Sequence, residues 1–283
     1  MRKNLLMLLI LGIAVALPAT AMATTTWDGE AGDGDFANPI NWDTNALPTN
    51  EFTTEEGRFD SATATFDETG LVQLDRARIK NANLDIVSGT LEFRNFTSSW
   101  GLGIFSTVAG TPSTVDISGT GTLLVEQLGV GYDMFTNLKA EGIINISGDG
   151  KLVIQPNIYD GGTPPAGYHT IRIAGDSIIT LADNGELRVP ATLDPTGTGQ
   201  SIVTRTLVDY YLGGDFWDET AILPGDLGPY PDIANPLIIS ADPSKWLHTT
   251  VIGDEYVVTV VPEPTSLLLV CLGICSLALI RKR

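Results

Sequence analysis

The chain has 283 residues, 43% of them hydrophobic, and carries 34 acidic against 16 basic side chains. That length allows one large domain or two small ones, and the apolar content suffices for a core, so disorder over the whole chain is excluded. Five of the bases lie at the chain ends, which leaves 11 bases against 34 acids, a net charge of −23, in between. Because nucleic-acid binding depends on Lys and Arg that neutralise phosphates, no nucleic-acid partner is expected.

The N-terminus has the parts of a secretory signal peptide. Two basic residues precede an uninterrupted apolar run, residues 5–17, and small residues follow, with Ala21 and Ala23 in an A-x-A arrangement. We predict a signal helix over 1–23 that signal peptidase cleaves after Ala23, so that the mature chain begins at Thr24. An uncleaved anchor is disfavoured because the run is shorter than the ~20 residues of a spanning helix.

The C-terminus ends in a second apolar segment. Residues 265–280 carry no charge and are followed by Arg281, Lys282 and Arg283. As a helix the segment would reach about 24 Å, a little short of a hydrocarbon core of about 30 Å, and its basic end favours the cytoplasmic side. We predict a C-terminal transmembrane helix in the inner membrane, with the rest of the chain facing outward. A buried core helix is disfavoured, because a helix that is apolar all round and tipped by three bases buries poorly.

The residues before this tail point to a family. Val261, Pro262, Glu263 and Pro264 stand directly before the apolar segment and the basic end, and this order resembles the PEP-CTERM sorting signal of Gram-negative bacteria. The resemblance covers residues 262–283. It implies that exosortase, a membrane-embedded transpeptidase-like enzyme, recognises the tail, and that the motif residues belong to a substrate of processing. It further implies delivery to the cell surface, the extracellular matrix or exopolysaccharide.

Between the two ends the sequence is β in pattern. Short runs rich in Val, Ile, Leu, Phe and Thr alternate with clusters of Gly, Asn, Asp, Ser and Pro, which predicts many short strands joined by tight turns. Residues 115–125 repeat at 144–154, an offset of 29, and weaker copies stand at 84–93 and 179–189. Each unit is predicted as a strand, a glycine-containing turn and a second strand, with glycine supplying the positive φ of the turn.

This period favours units that stack and bury their apolar faces against each other. We therefore predict an all-β ectodomain built as a short right-handed β-helix, or solenoid. The pattern leaves open an antiparallel β-sandwich or jelly roll, in which the repeat is a hairpin used four times, because both folds bury one face of each strand. The predicted domains are a signal peptide (1–23), an N-terminal cap segment (24–60), a repeat β domain (61–195), a C-terminal β cap (196–261) and the sorting signal (262–283).

The segment before the repeats resembles a second family. A Trp-x-Gly element at Trp27, an Asn-Trp pair at Asn41 and Trp42, and an Ala-x-Phe strand at 64–66 are similar to the opening of bacterial surface proteins with autotransporter-associated β-strand repeats. The likeness spans residues 27–93. It implies a β-helix with Trp27 and Trp42 in an N-terminal cap.

Four carboxylates among glycines form the candidate metal site: Asp28, Glu30, Asp33 and Asp35. Oxygen ligands of this kind suit Ca²⁺. The spacing does not match an EF-hand loop and no acid stands at the closing position, so a solvated acidic turn is favoured and no cofactor is predicted. The high negative charge also motivates the hypothesis that divalent cations bridge the ectodomain to acidic polysaccharide. Binding that persists in EDTA would contradict it.

Residues suited to catalysis are few. His169 and His248 are the only histidines, no G-x-S-x-G elbow is present, and both cysteines, Cys271 and Cys275, lie inside the tail. A carboxylate pair for glycoside cleavage is recognisable only by its separation in space. A β-helix polysaccharide lyase or hydrolase is therefore the enzyme alternative, disfavoured because such enzymes place basic residues in the groove. No catalytic residue is predicted.

Aromatic residues near predicted turns support another alternative, a carbohydrate-binding surface module. Trp100, Tyr132 and Tyr159 would stack on sugar faces if their rings were exposed, although buried or capping rings are favoured. The function predicted from the sequence is a non-catalytic structural or adhesive component of the cell surface or extracellular matrix. Signal peptidase and exosortase are its expected processing partners, and exopolysaccharide is a candidate ligand.

Overall fold

The computed structural model describes residues 24–48, 56–74, 76–93, 101–126, 128–133, 138–139, 141–154, 171–173, 177–190, 226–227, 238–253 and 255–262. These residues form twenty strands and one 3-10 turn, Pro39–Asn41, with no α-helix among them, which confirms the predicted all-β class. The strands are β1 (Thr24–Thr26), β2 (Glu56–Asp60), β3 (Thr63–Leu74), β4 (Ala77–Lys80), β5 (Asn83–Phe93), β6 (Leu102–Phe105), β7 (Ser113–Ile117), β8 (Thr122–Val125), β9 (Leu128–Val130), β10 (Tyr132–Asp133), β11 (Leu138–Lys139), β12 (Gly142–Ile146), β13 (Lys151–Ile154), β14 (Ile171–Ile173), β15 (Ile178–Leu181), β16 (Glu186–Pro190), β17 (Asp226–Leu227), β18 (Ile238–Ser240), β19 (Lys245–Ile252) and β20 (Glu255–Pro262).

Two large sheets contain most of these strands. The first is parallel throughout, in the order β1-β2-β4-β6-β9-β14. The second has two wings, because the two ends of the long strand β5 pair with different partners. The first wing runs from the N-terminal end of β5 through β7, β12 and β15 to β18, and the second wing runs from its C-terminal end through β8, β13 and β16. Strand β3 lies beside β5 in both wings.

The chain passes through the first sheet, the first wing and the second wing in the same order each time. We call one such passage a circuit; β6, β7 and β8 form one, and β9, β12 and β13 belong to the next. Val115 pairs with Ile144 and Leu123 with Leu152, both at the offset of 29 found in the sequence. The repeat units therefore pair with each other in parallel. The alternative of a repeated antiparallel hairpin is wrong for these units, because the two strands of 115–125, and likewise of 144–154, lie in different wings. The copy at 84–93 was predicted as strand, turn and strand, but it forms the single strand β5.

The alternation of residues in each strand produces the core. Strands β7 and β12 each bury alternate residues, and the buried residues of the two strands lie side by side in the ladder. The residues at these inward positions are less than 2% exposed: Leu84, Ile86, Leu91, Val115, Ile117, Leu123, Val125, Ile144, Ile146, Leu152, Ile154, Ile179, Leu181, Leu187 and Val189. Each unit thus buries its apolar face against its neighbours.

The turns within the units use glycine for two different reasons. The first glycine of each Ser-Gly-x-Gly turn has a positive φ, 55° at Gly119 and 60° at Gly148, as predicted. The second glycine, at Gly121 and Gly150, lies against the preceding circuit. A Cβ on Gly121 would stand 2.5 Å from the carbonyl oxygen of Ile86, a distance that real Cβ atoms do not tolerate.

After the last repeat, β18 still pairs in parallel with β15, and the strands that follow it pair antiparallel. Strands β19 and β20 form a hairpin, and β20 adds to β16 with Leu187 opposite Val258. Strand β18 and all but the last residue of β20 lie within the segment 196–261 that the sequence predicts as a C-terminal β cap. The signal helix predicted over 1–23 and the transmembrane helix predicted over 265–280 lie outside the described residues. Among the residues that are described, no helix is long and apolar enough to cross a membrane.

Candidate functional site

An aromatic cluster lies at the N-terminal end of the stacked strands. It contains Trp27, Phe36, Trp42 and Phe59, each at most 8% exposed. Trp27 stacks on Phe36 with ring centroids 5.7 Å apart, and Phe59 meets both rings edge-on. Such contacts add to the stabilisation from burial. Both tryptophans expected in the N-terminal cap are therefore part of the hydrophobic core.

The acidic loop before the 3-10 turn is organised around the fully buried side chain of Asn41. Its Nδ2 donates to Oδ1 of Asp33 at 2.6 Å and to the carbonyl oxygen of Asp35 at 2.9 Å. Its Oδ1 accepts the backbone N–H of Ala31 at 2.9 Å. One buried amide thus makes three hydrogen bonds across the loop, as a buried polar group must to offset its desolvation. Sequence reasoning missed this role, although the Asn-Trp pair had marked the position.

The same loop holds the carboxylates that were considered as calcium ligands. Asp28 Oδ1 accepts the backbone N–H of Glu30, Asp33 Oδ1 that of Asp35, and Asp35 Oδ1 that of Ala37. The amide of Asn41, the backbone N–H of Asp35 and then the amide of Asn38 hold the pKa of Asp33 below its usual range. Each of these Oδ1 atoms accepts a hydrogen bond from a backbone N–H two residues further along the same loop. Within the described stretches no group of three or more His, Cys, Asp or Glu side chains is arranged to hold a metal ion.

A column of polar residues follows one outward position of the first wing. Its members, in register across five strands, are Thr65, Asp85, Asp116, Asn145 and Thr180. Asn145 Nδ2 donates to Asp116 Oδ1 at 2.6 Å, so these two side chains satisfy each other. Asp85 in β5 is the neighbour of Asp116 on the side opposite Asn145. Partial burial, and then the charge of Asp116, raise the pKa of the Asp85 carboxyl.

The substitution Asp85→Asn should stabilise the protein at pH 7 by about 0.5 kcal/mol, the order expected for removing a like-charge pair directly across two strands. The folded-state pKa lies above that of the unfolded chain, so the folded state binds more protons between the two values and ionised Asp85 costs stability. The gain should therefore shrink as the pH falls through the raised pKa toward 3.8. Urea denaturation at several pH values measures it, and a variant less stable than wild type at pH 7 would contradict the prediction.

The first residue of the predicted sorting motif lies at the C-terminal end of the hairpin. Pro262 is exposed, ends β20, and pairs with Lys245 at the start of β19. The sequence predicted a C-terminal β cap that ends at residue 261, but not that the first residue of the motif belongs to its last strand. The remaining predicted sorting and cleavage residues lie outside the described part of the chain: Ala21, Ala23, Glu263, Pro264, Arg281, Lys282 and Arg283.

Most of the candidates for sugar stacking and catalysis lie outside the described residues. Trp100, Tyr159 and His169 lie outside the described residues, and Tyr132 lies in the short strand β10, paired with Lys139. His248 lies opposite Thr259 in the hairpin. Comparison of the chain with protein-family models, with curated proteins and with solved structures finds no match.

Proposed function

We propose that this chain is an exported, non-catalytic protein with a structural or adhesive role at the cell surface or in the extracellular matrix, delivered there through its C-terminal sorting signal. The observation that carries the proposal is the order of four features. A signal peptide begins the chain, and the Pro262-Glu263-Pro264 motif, a charge-free apolar segment and the basic end 281–283 close it.

The position of the motif supports this reading. Pro262 is exposed at the end of β20, so the motif begins at a surface position of the described ectodomain. The net charge of −23 between the chain ends also fits this proposal, because a large negative charge keeps an exported chain soluble.

We further propose that the repeat region is a right-handed parallel β-helix. Three parallel ladders visited in constant order support it, as does the agreement between the 29-residue offset and the pairing of β7 with β12. Parallel strands joined by a crossover connection in one sheet are right-handed in nearly all proteins. A stack of this kind is continuous in hydrogen bonds and core, which suits a load-bearing or spacer role.

The test is mass spectrometry of the C-terminal peptide from native cells, with envelope and medium fractions analysed separately. We expect a terminus near Pro264 in the surface or medium fraction, with residues 265–283 absent or replaced by a conjugate. An intact Arg283 in the inner membrane would overturn the surface-component proposal. The wild-type protein is also the reference for the disulfide variants proposed for the hairpin.

A further inference from the structure

The sorting motif begins inside a β-ladder. Strand β20 ends at Pro262, and the pairing of Lys245 with Pro262 is the last in the hairpin. The predicted membrane helix starts at Thr265, three residues further on. Three extended residues span about 10 Å. If the ladder stays closed and the predicted helix enters the bilayer at Thr265, only Glu263 and Pro264 lie between the ladder and the bilayer.

The two halves of β20 are held differently. Residues 255–258 pair with β16 on one side and β19 on the other, and Arg188 of β16 forms an ion pair with Glu255 at 3.3 Å. Residues 259–262 pair, within the described part of the chain, with β19 alone. Val260 is the member of this half that packs, partly buried, against the core. Opening at a strand end costs less than opening a segment paired on both edges.

We propose that residues 259–262 act as a processing gate, which must separate from β19 before the sorting enzyme can remove the tail. The inference rests on the proposed function, since it concerns the same tail. An enzyme that cleaves a peptide chain holds an extended segment on both sides of the scissile bond. Separation of four residues adds about 13 Å of free chain before the motif. The local stability of the hairpin end therefore limits the rate of tail removal.

Disulfides across the hairpin test this directly. Ile252 and Glu255 close a two-residue connection, so they form a hydrogen-bonded pair. Counting back from them, Leu247–Val260 and Thr249–Val258 are non-hydrogen-bonded pairs, whose side chains are close enough for a disulfide. The test variant is Leu247→Cys/Val260→Cys, which locks the proposed gate. The control is Thr249→Cys/Val258→Cys, on the same face, which locks the half already held by β16.

The readout is pulse-chase labelling of the full-length chain in native cells, following loss of the tail with and without a permeant reductant. We expect the Leu247–Val260 disulfide to slow tail removal at least tenfold, the reductant to restore the wild-type rate, and the control disulfide to change the rate less than twofold. Because one variant is compared with itself, a folding defect cannot mimic the result.

The outcomes separate this inference from the proposed function. Removal of the tail from the oxidised test variant at the wild-type rate would overturn the gate, while processing of the wild-type chain would leave the sorting proposal intact. A wild-type chain that keeps its tail would overturn the sorting proposal itself. Equal slowing by both disulfides would also overturn the gate, since it would show that rigidity anywhere in the hairpin is enough.

Discussion

Replacing Gly121 by Ala should lower the free energy of unfolding by about 3 kcal/mol, the upper part of the range for overpacking a tight site. The new Cβ would lie 2.5 Å from the carbonyl oxygen of Ile86 and 2.9 Å from its carbon. That oxygen accepts the N–H of Ser118 at 2.9 Å, so it cannot move away without weakening a bond between two circuits. Urea denaturation of the full chain in detergent, followed by tryptophan fluorescence, measures the loss.

The substitution Gly70→Ala is the matched control. Gly70 lies in β3 and, like Gly121, has no positive φ, but a Cβ there would meet nothing within 4 Å. Its free energy of unfolding should stay within about 0.5 kcal/mol of wild type, as for most surface changes. If the two variants were equally stable, the close approach between circuits would not be the reason for glycine at position 121.

Truncating Trp42 to Ala should cost about 3–5 kcal/mol, the usual range for removing a large buried aromatic side chain. Trp42 is fully buried, meets the rings of Trp27 and Phe36 edge-on at 5.5 and 5.3 Å, and donates its indole N–H to the carbonyl oxygen of Phe36 at 3.2 Å. Phe36 in turn donates its backbone N–H to Thr65 in β3. Loss of the ring should therefore loosen residues 28–41 where they bond to β3.

Equilibrium denaturation and limited proteolysis of residues 28–41 together measure this effect. We expect faster cleavage in the loop as well as lower stability. Ile40→Ala is the control, because Ile40 is in the same turn but 50% exposed, and it should change stability by less than about 0.5 kcal/mol. A Trp42→Ala protein as stable as this control would show that the aromatic cluster does not hold the N-terminal segment.

Much of the candidate site could not be predicted from the sequence, because its contacts depend on how the loop folds. The carboxylates of the N-terminal loop were visible as a cluster, but their hydrogen bonds depend on the path of the loop. Asn41 could be noted only as half of an Asn-Trp pair, because burial of its amide follows from how residues 28–41 fold back on it. The Asp85–Asp116 contact could have been found: aligning the weaker copy at 84–93 with 115–125 places the two acids side by side.

The sequence by itself determined the strands and their inward faces, because alternation of apolar and polar residues sets which side chains a strand can bury. Its 29-residue repeat also specified the register of β7 against β12, since equivalent inward residues of neighbouring units pack together. Only the tertiary structure decided that the units pair in parallel, because a hairpin and a stacked circuit have the same alternation. It alone also explained the second glycine of each turn, since the need for it comes from a carbonyl group in the preceding circuit, about 35 residues earlier at Gly121.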